Sequence, residues 1–365
     1  MGDTAAPDQA RTAIVSVSAL QKVVAALFVD AGMRETASQT IATALVEADR
    51  QGIGSHGVAM AQMYIERLER GSVSRAESVT IVQDNDAVAV LDAGHMLGHL
   101  AGDEAMAIAV DKAHRFGLGV VAVCHGFHFG VAGRYAASAT RAGCIGIAMC
   151  NTRPMIAPPG GLAPTVGNNP LAIAVPTSSG TPILLDMAMS EVALARIRAA
   201  ARNEQAIPPD WAVGADGRPT TDPHVALEGM LAPMGGTKGF ALALLIDAMC
   251  GLLAGGAWGA DVKPLFDDLS QPADCSFLFI ALNIAHFRPI EGFLEEATMM
   301  RERVRAVPNR NEGQTPVPGD RRAALAREQA AHVALDQAVL DRLTHFAVER
   351  GVDASSLTSL AAVPL

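Results

Sequence analysis

After a polar N-terminal stretch the chain settles into helical periodicity. Residues 18–33 place Leu20, Val23, Val24, Leu27 and Phe28 on one face, and Gly32 closes the segment. A second helix is predicted over about 35–50, with Ile41, Leu45 and Val46 before Gly52, and a third from about Gly57 to Arg70, ended by Gly71. At residues 78–92 the period drops to two. Val79 to Val82, a polar Gln83–Asp86 turn and Ala87 to Leu91 predict a hairpin. A helix over 99–116, a strand over 118–124, a helix over 130–142 and a strand over 144–150 follow, the first strand apolar on both faces. Proline- and glycine-rich loops occupy 151–170, 207–223 and 233–239. The apolar run Phe240–Ala254 reads as a buried helix, since it is too short to span a bilayer and contains Asp247. From about 290 the chain is helical again, interrupted by a connector at 308–320. Val339, Leu340, Leu343, Phe346 and Ala347 line the last helix before Gly351.

Helices at both ends of a sheet-rich middle predict an α/β (α+β) chain of two domains. Residues 1–76 and 287–365 form a helical domain, and residues 77–286 a sheet-rich domain inserted between them. Two motif matches fail on context. Gly117-Leu118-Gly119-Val120-Val121-Ala122 fits G-x-G-x-x-A but opens a strand where a dinucleotide fingerprint must open a helix. Gly236-Thr237-Lys238-Gly239 lacks the contiguous Gly-Lys-Ser/Thr of a P-loop. Neither a Rossmann domain nor a Walker ATPase is expected.

Composition narrows the partners. Half of the 365 residues are hydrophobic, 18% are charged, and the formal net charge of −10 comes with no basic run, so neither nucleic acid nor an anionic membrane is an expected partner. The five cysteines are odd in number and form no C-x-x-C pair, which argues against a disulfide framework and a structural zinc site; no metal is expected. Met1–Arg11 is polar without an apolar signal core, and Ala6 stands where a myristoylation signal needs Ser or Thr, so the expected compartment is cytoplasmic.

Candidate chemistry centres on His125-Gly126-Phe127-His128-Phe129-Gly130. His128 falls where a buried strand gives way to a helix. First-turn N–H groups at such a corner favour a neutral imidazole and hold its pKa near working pH. Taken alone, His128 reads first as a satisfied structural histidine; a Ser-His pair upstream and glycine-rich loops downstream shift that reading. Upstream, Ser55 is a natural N-cap for the third helix, and His56, Met60 and Tyr64 are spaced i, i+4, i+8 on one helical face. That stripe is either the wall of a polar pocket or plain core. Gly160-Gly161, Gly167-Asn168-Asn169-Pro170 and Gly235-Gly236-Thr237-Lys238-Gly239 offer unhindered N–H groups, and the last opens a helix, the usual seat of a phosphate.

The ordered set Ser55-His56-Gly57, Tyr64, His128-Phe129-Gly130, Asn151, Pro158-x-Gly160-Gly161, Gly167-x-Asn169-Pro170, Asp186-Met187-Ala188-x-Ser190, Ile207-Pro208, Trp211, Asp216-Gly217, Pro219 to Pro223 and Pro233-x-Gly235-Gly236-x-Lys238-Gly239 resembles the malate/L-lactate dehydrogenase family of the non-Rossmann type over roughly residues 15–355. That family also holds ureidoglycolate, sulfolactate and diketogulonate enzymes and piperideine-2-carboxylate reductases. The resemblance implies a homodimer in which the inserted domain binds NADH or NADPH. It implies reversible reduction of a small 2-oxo acid or cyclic imino acid at the carbon beside the carboxylate. By position, His128 is the implied general acid/base, assisted by Ser55 and His56, with Tyr64 at the substrate. Gly160, Gly161, Asn168, Asn169, Asp186, Ser190, Gly235, Gly236 and Lys238 border the implied cofactor.

One departure bears on substrate. Where the family usually has an arginine that grips the carboxylate, this chain has Met60. A charge-assisted pair contributes about 1.5–3 kcal/mol, so an unchanged substrate would bind roughly ten- to a hundredfold worse. The substrate is therefore expected to lack the usual carboxylate, to present a more apolar group there, or to be anchored by another cation such as Arg153 or Arg134. The accumulated departures leave a catalytically silent, metabolite-binding member as the rival reading. A Ser-His hydrolase is disfavoured because Ser55 and His56 are adjacent and no Gly-x-Ser-x-Gly elbow surrounds the serine.

Overall fold

A computed structural model describes residues 12–310, 313–359 and 362–363. It divides into two compact units, Met1–Gly71 with Arg322–Leu365, and Ser72–Arg321. The first unit begins with strand β1 (Thr12–Ser16), then α1 (Val17–Asp30), α2 (Glu35–Arg50) and α3 (Ala61–Arg70). The apolar stripe of α1, with Leu20, Val24, Leu27 and Phe28 fully buried, packs on Ile41 and Leu45 of α2. The third helix starts later than its periodicity predicts. Two 3₁₀ turns, Gly54–His56 and Val58–Met60, precede it, joined by an extended Gly57. The cause lies beneath that glycine: a Cβ there would stand 1.9 Å from Asp49 Oδ1, and Asp49 Oδ2 accepts the Val58 N–H at 2.8 Å.

The second unit is built on one mixed sheet. Its strands are β2 (Thr80–Asn85), β3 (Val88–Asp92), β4 (Leu118–Gly126), β5 (Cys144–Cys150), β6 (Leu171–Val175) and β7 (Ile183–Met187), with α4 (Gly98–Phe116) before β4 and α5 (Ala132–Thr140) before β5. Beyond β7 come α6 (Leu194–Arg202), a two-stranded ribbon β8 (Ala212–Val213) and β9 (Met230–Leu231) with α7 (Pro223–Glu228) between, and α8 (Thr237–Asp247) running into a π-helical turn at Ala248–Leu252. Strand β10 (Cys275–Asn283) then returns to the middle of the sheet, whose order is β2-β3-β4-β10-β5-β6-β7. Only β3 and β4 run parallel; every other pair is antiparallel. This is not a doubly wound parallel sheet, so the unit is non-Rossmann as the failed fingerprint indicated. In the hairpin, Gln83–Asn85 belong to β2 and the turn falls at Asp86, at φ 46°.

Both faces of the sheet are covered. Helices α4 and α5 lie on one; the other meets a core that includes Ala122, Cys124, Met149, Leu278, Ile246 and Cys250. The helices approach the strands through glycine. A Cβ on Gly119 of β4 would sit 1.8 Å from the Ala109 carbonyl oxygen, and one on Gly146 of β5 would sit 2.3 Å from that of Ala136. Backbone cannot yield as a side-chain tip can. Gly119→Ala is therefore expected to cost about 3 kcal/mol, the upper range for overpacking. Urea midpoints compared at constant m-value test this, and a loss below about 1 kcal/mol contradicts the packing argument.

Helix α9 (Ile290–Arg305) stays with this unit. Ser178 N donates to Thr298 Oγ1 at 3.0 Å, Arg301 donates to the Thr181 carbonyl at 2.7 Å, and Arg301 pairs with Asp320. The return to the first unit thus comes at 322, where the sequence division placed it at 287. There α10 (Asp320–Glu328) leads to β11 (His332–Asp336) and α11 (Gln337–Glu349). Strand β11 pairs antiparallel with β1 from Thr12↔Asp336 to Ser16↔His332, and β1 also pairs with β12 (Ala362–Val363). The terminal unit therefore carries a small sheet besides its helices. The five cysteines are free and buried. No described helix is long and apolar enough to cross a membrane. The expectation of a buried Phe240–Ala254 helix needs correction: Leu242, Leu245, Met249, Leu252 and Leu253 form an exposed apolar stripe, while Ala243, Ile246 and Cys250 face the core.

Candidate active site

His128 sits in the five residues between β4 and α5. Its neighbours alternate: Phe127 and Phe129 are buried, His128 is half-exposed. Phe129 stacks on Phe277 at 4.8 Å between centroids and on Tyr135 at 5.1 Å, and Phe279 meets Tyr135 edge-on. The Tyr135 hydroxyl donates to the Phe129 carbonyl. From the other side the first turn of α4 presses in at Gly98, where a Cβ would lie 2.1 Å from the Phe127 carbonyl oxygen. Four aromatic rings and a glycine contact thus fix the backbone around a half-buried histidine. The first-turn amide of α5 is engaged by Asp186, whose Oδ2 accepts the Gly133 N–H at 3.1 Å. Asp186 and His128 are brought to the same end of α5, and a carboxylate complements the helix N-terminus there.

The glycine loops fall into two groups. Gly160 and Gly161 turn the loop tightly, with Gly161 N–H donating to the Pro158 carbonyl at 2.7 Å. Gly235 and Gly236 have φ of 58° and 66°, open space where a Cβ would be, and no side-chain cap on the helix α8 that follows. Thr237 and Lys238 are exposed beside them. Residues 189–191 zip to 232–234 through Met234 N–H to Met189 O (2.8 Å) and Glu191 N–H to Ala232 O (2.8 Å), which brings Ser190 beside this turn. The exposed start of α8, which no side chain caps, with an adjacent lysine suits an anionic pyrophosphate, while the Gly236 N–H is itself taken by the Pro233 carbonyl at 3.0 Å. Glu191 Oε2 takes the Gly235 N–H at 3.3 Å.

Three residues expected at the cofactor hold the loops from within. Asn169 is fully buried: its Oδ1 accepts the Thr152 N–H at 2.8 Å and its Nδ2 donates to the Ala243 carbonyl at 2.8 Å. Ser190 is buried and donates to the Val192 carbonyl at 2.8 Å. Asp186 caps α5 as described. Asn168 is half-exposed and accepts from Thr152 Oγ1 at 3.0 Å.

The two candidate anchors now separate. Arg134 is committed to a two-pronged pair with Asp103, at 3.1 and 2.6 Å. Arg153, half-buried just beyond β5, has no ion pair among the described residues. In the first unit Ser55 is exposed and does not cap α3; its Oγ lies 2.9 Å from His56 Nδ1. His56, Met60 and Tyr64 do not share a helical stripe, because Gly57 breaks the run. Met60 and Tyr64 are buried, Tyr64 completely, so their side chains are core where a pocket wall was expected.

Sequence reasoning missed the support beneath Arg153. Asn151, fully buried, donates to Asp247 Oδ1 (3.0 Å) and the Ala257 carbonyl (2.8 Å) and accepts the Ser276 N–H (2.7 Å). Burial pushes the Asp247 carboxyl up, against the opposing pull of Asn151 and the Gly259 N–H. These partners lie about a hundred residues apart in sequence, beyond any local signal.

With this geometry in place, comparisons with known proteins are informative. A family model described as malate/L-lactate dehydrogenase matches residues 15–344. A malate/(S)-sulfolactate dehydrogenase of Methanothermus fervidus is 32% identical over 323 residues, covering 88% of this chain and 94% of the relative. A (2R)-3-sulfolactate dehydrogenase (NADP(+)) of Chromohalobacter salexigens is 32% identical over 343 residues, covering 92% and 99%. Among solved structures, sulfolactate dehydrogenase from Methanocaldococcus jannaschii matches with a TM-score of 0.88 at 31% identity, over 94% of this chain and 99% of that one. The protein is an oxidoreductase, an enzyme of the dehydrogenase class. It belongs to the malate/L-lactate dehydrogenase family, as the ordered motifs indicated.

Proposed function

We propose that this enzyme catalyses hydride transfer between NADH or NADPH and a small 2-oxo acid, its 2-hydroxy counterpart or a cyclic imino acid, with His128 as the general acid/base. The observation that carries this reading is a half-exposed imidazole on a loop clamped by Phe127, Phe129, Tyr135 and Phe277. An acid/base group must be both reachable and fixed, and a half-buried side chain on a tightly packed backbone supports that role. A bound nicotinamide supplies or accepts the hydride at the carbon beside the substrate carboxylate. His128 donates a proton to the carbonyl oxygen or imine nitrogen in reduction and takes it back in oxidation. The glycine turns at Gly160–Gly161 and Gly235–Gly236, with Lys238 and Asn168, border the dinucleotide; Asn169, Asp186 and Ser190 keep those loops in shape.

Arg153 is the substrate carboxylate's anchor in this reading, because Met60 is apolar and buried and Arg134 is spent on Asp103. The exposed leucine stripe of α8 supports the homodimer implied by the resemblance. The decisive assay follows absorbance at the reduced-nicotinamide band across 2-oxo acids and cyclic imino acids, with each cofactor. Oxidation of NADH or NADPH that depends on one of these substrates is expected. Absence of turnover across the whole panel, with folded protein and both cofactors, removes the proposal.

A further inference from the structure

A second cluster of reactive side chains lies three residues upstream of His128. Strands β3 and β4 run parallel, and their register places Asp92 opposite Cys124. A carboxylate oxygen of Asp92, Sγ of Cys124 and a ring nitrogen of His125 all lie within 4.8 Å of one another. His125 Nδ1 stands 3.1 Å from Asp92 Oδ1. The thiol is buried at the base and makes a long bond of 3.5 Å to the Leu91 carbonyl, while the Asp92 and His125 side chains are 35% and 40% exposed. The cluster therefore has a closed floor and an open mouth. Asp92 also accepts the Gly94 N–H at 2.7 Å, as an oriented ligand carboxylate does.

A fourth donor stands alongside. The His95 ring is 5.5 Å from that of His125, and His95 Nδ1 is buried with no hydrogen-bond partner. Such an orphaned buried nitrogen is costly unless something binds it. His95 and His125 both adopt left-handed backbone, at φ 58° and 50°, and are joined by His95 N–H to His125 O at 2.7 Å. None of these four residues takes part in the proton transfer or dinucleotide binding proposed above.

We propose that Asp92, Cys124 and His125, with His95 as fourth donor, bind one divalent cation of the zinc class. One thiolate, one carboxylate and two imidazoles make a borderline-soft donor set that zinc accepts, whereas calcium and magnesium require oxygen ligands. On binding, the Cys124 thiol releases its proton to solvent, and the imidazoles coordinate in neutral form. The Asp92, Cys124 and His125 donor atoms lie within 4.8 Å of one another, a spread that one ion with metal–ligand distances of about 2.0–2.3 Å bridges once the donors draw in, and His95 completes the set by turning its ring toward them. The four ligands come from a loop and two strand ends, with no C-x-x-C, which is why cysteine spacing gave no sign of them. The inference stands independently of the proposed reaction.

The test uses the full chain, stripped with chelator and titrated with Co²⁺ as the probe. One equivalent of cobalt is expected to bind, with a thiolate-to-cobalt charge-transfer band and the intense visible bands of a four-coordinate ion. Cys124→Ser should abolish the charge-transfer band, while Cys150→Ser should retain it. Asp92→Asn, His125→Ala and His95→Ala should each weaken cobalt affinity at least fivefold, and the metal-free thermal midpoint of each variant shows whether it is folded. Absence of the band in the wild type, its survival in Cys124→Ser, or unchanged affinity across the other three variants overturns the site.

Discussion

His128→Asn is expected to lower turnover by about 10²–10⁴-fold, the range that a positioned general acid/base contributes. Reduced-dinucleotide affinity should change by no more than about twofold. The argument rests on a separation of parts. The backbone around His128 is held by Phe127, Phe129, Tyr135 and Phe277 and by the Gly98 contact, none of which involves the imidazole. The glycine turns at 160–161 and 235–236 belong to other loops. Asparagine keeps a polar side chain of modest size but cannot give up a proton at neutral pH. Steady-state rates and fluorescence titration of reduced dinucleotide, run on the same preparations, check both halves. Turnover within a few fold of wild type removes His128 from the chemistry. A large loss of dinucleotide affinity instead assigns the histidine a binding role.

How far the sequence carried depends on the range of the forces involved. Helix α1, helix α2, the β2–β3 hairpin and the β4–α5–β5 stretch were legible because each expresses a local period. The His128 corner was legible for the same reason, since a both-faces-apolar strand followed by small helix formers can only turn there. Strand β10 was missed although Cys275–Asn283 is a short apolar run bounded by polar residues. Its place between β4 and β5 is set by pairing across more than a hundred residues. The late start of α3 was also invisible: periodicity from Gly57 to Arg70 is helical, and the Asp49 carboxylate that packs beneath Gly57 and takes the Val58 N–H is a tertiary contact with no local signal. Two loop residues, Asn169 and Ser190, looked like ligand contacts because small polar residues in glycine loops are ambiguous. Their hydrogen bonds run inward, and that direction is a tertiary fact.

Asp49→Asn is expected to abolish most of the stability loss that the wild type shows between pH 4 and pH 7. Burial pushes the Asp49 carboxyl up to about 7, against the opposing pull of the Val58 N–H. The unfolded chain ionises this group near 3.9, so between those values the folded state holds a proton that the unfolded state has released. Stability from this group is fully present below about pH 4 and falls as pH rises through 7. A carboxyl moved from 3.8 to about 7 corresponds to about 4 kcal/mol. At pH 8 the wild type must therefore either carry a carboxylate that is only 5% exposed or loosen the turn that covers it. That turn is Gly54 to Val58, which presents Ser55 and His56. Asparagine preserves an acceptor for the Val58 N–H and never ionises. Its amide hydrogens cost some stability, but by the same amount at every pH. Urea midpoints of both proteins at pH 5, 6, 7 and 8 isolate the slope from that constant offset. Parallel curves across this window would show that Asp49 is ionised in the folded protein throughout, and a turn now held by a neutral acid would have to be rebuilt around a charge.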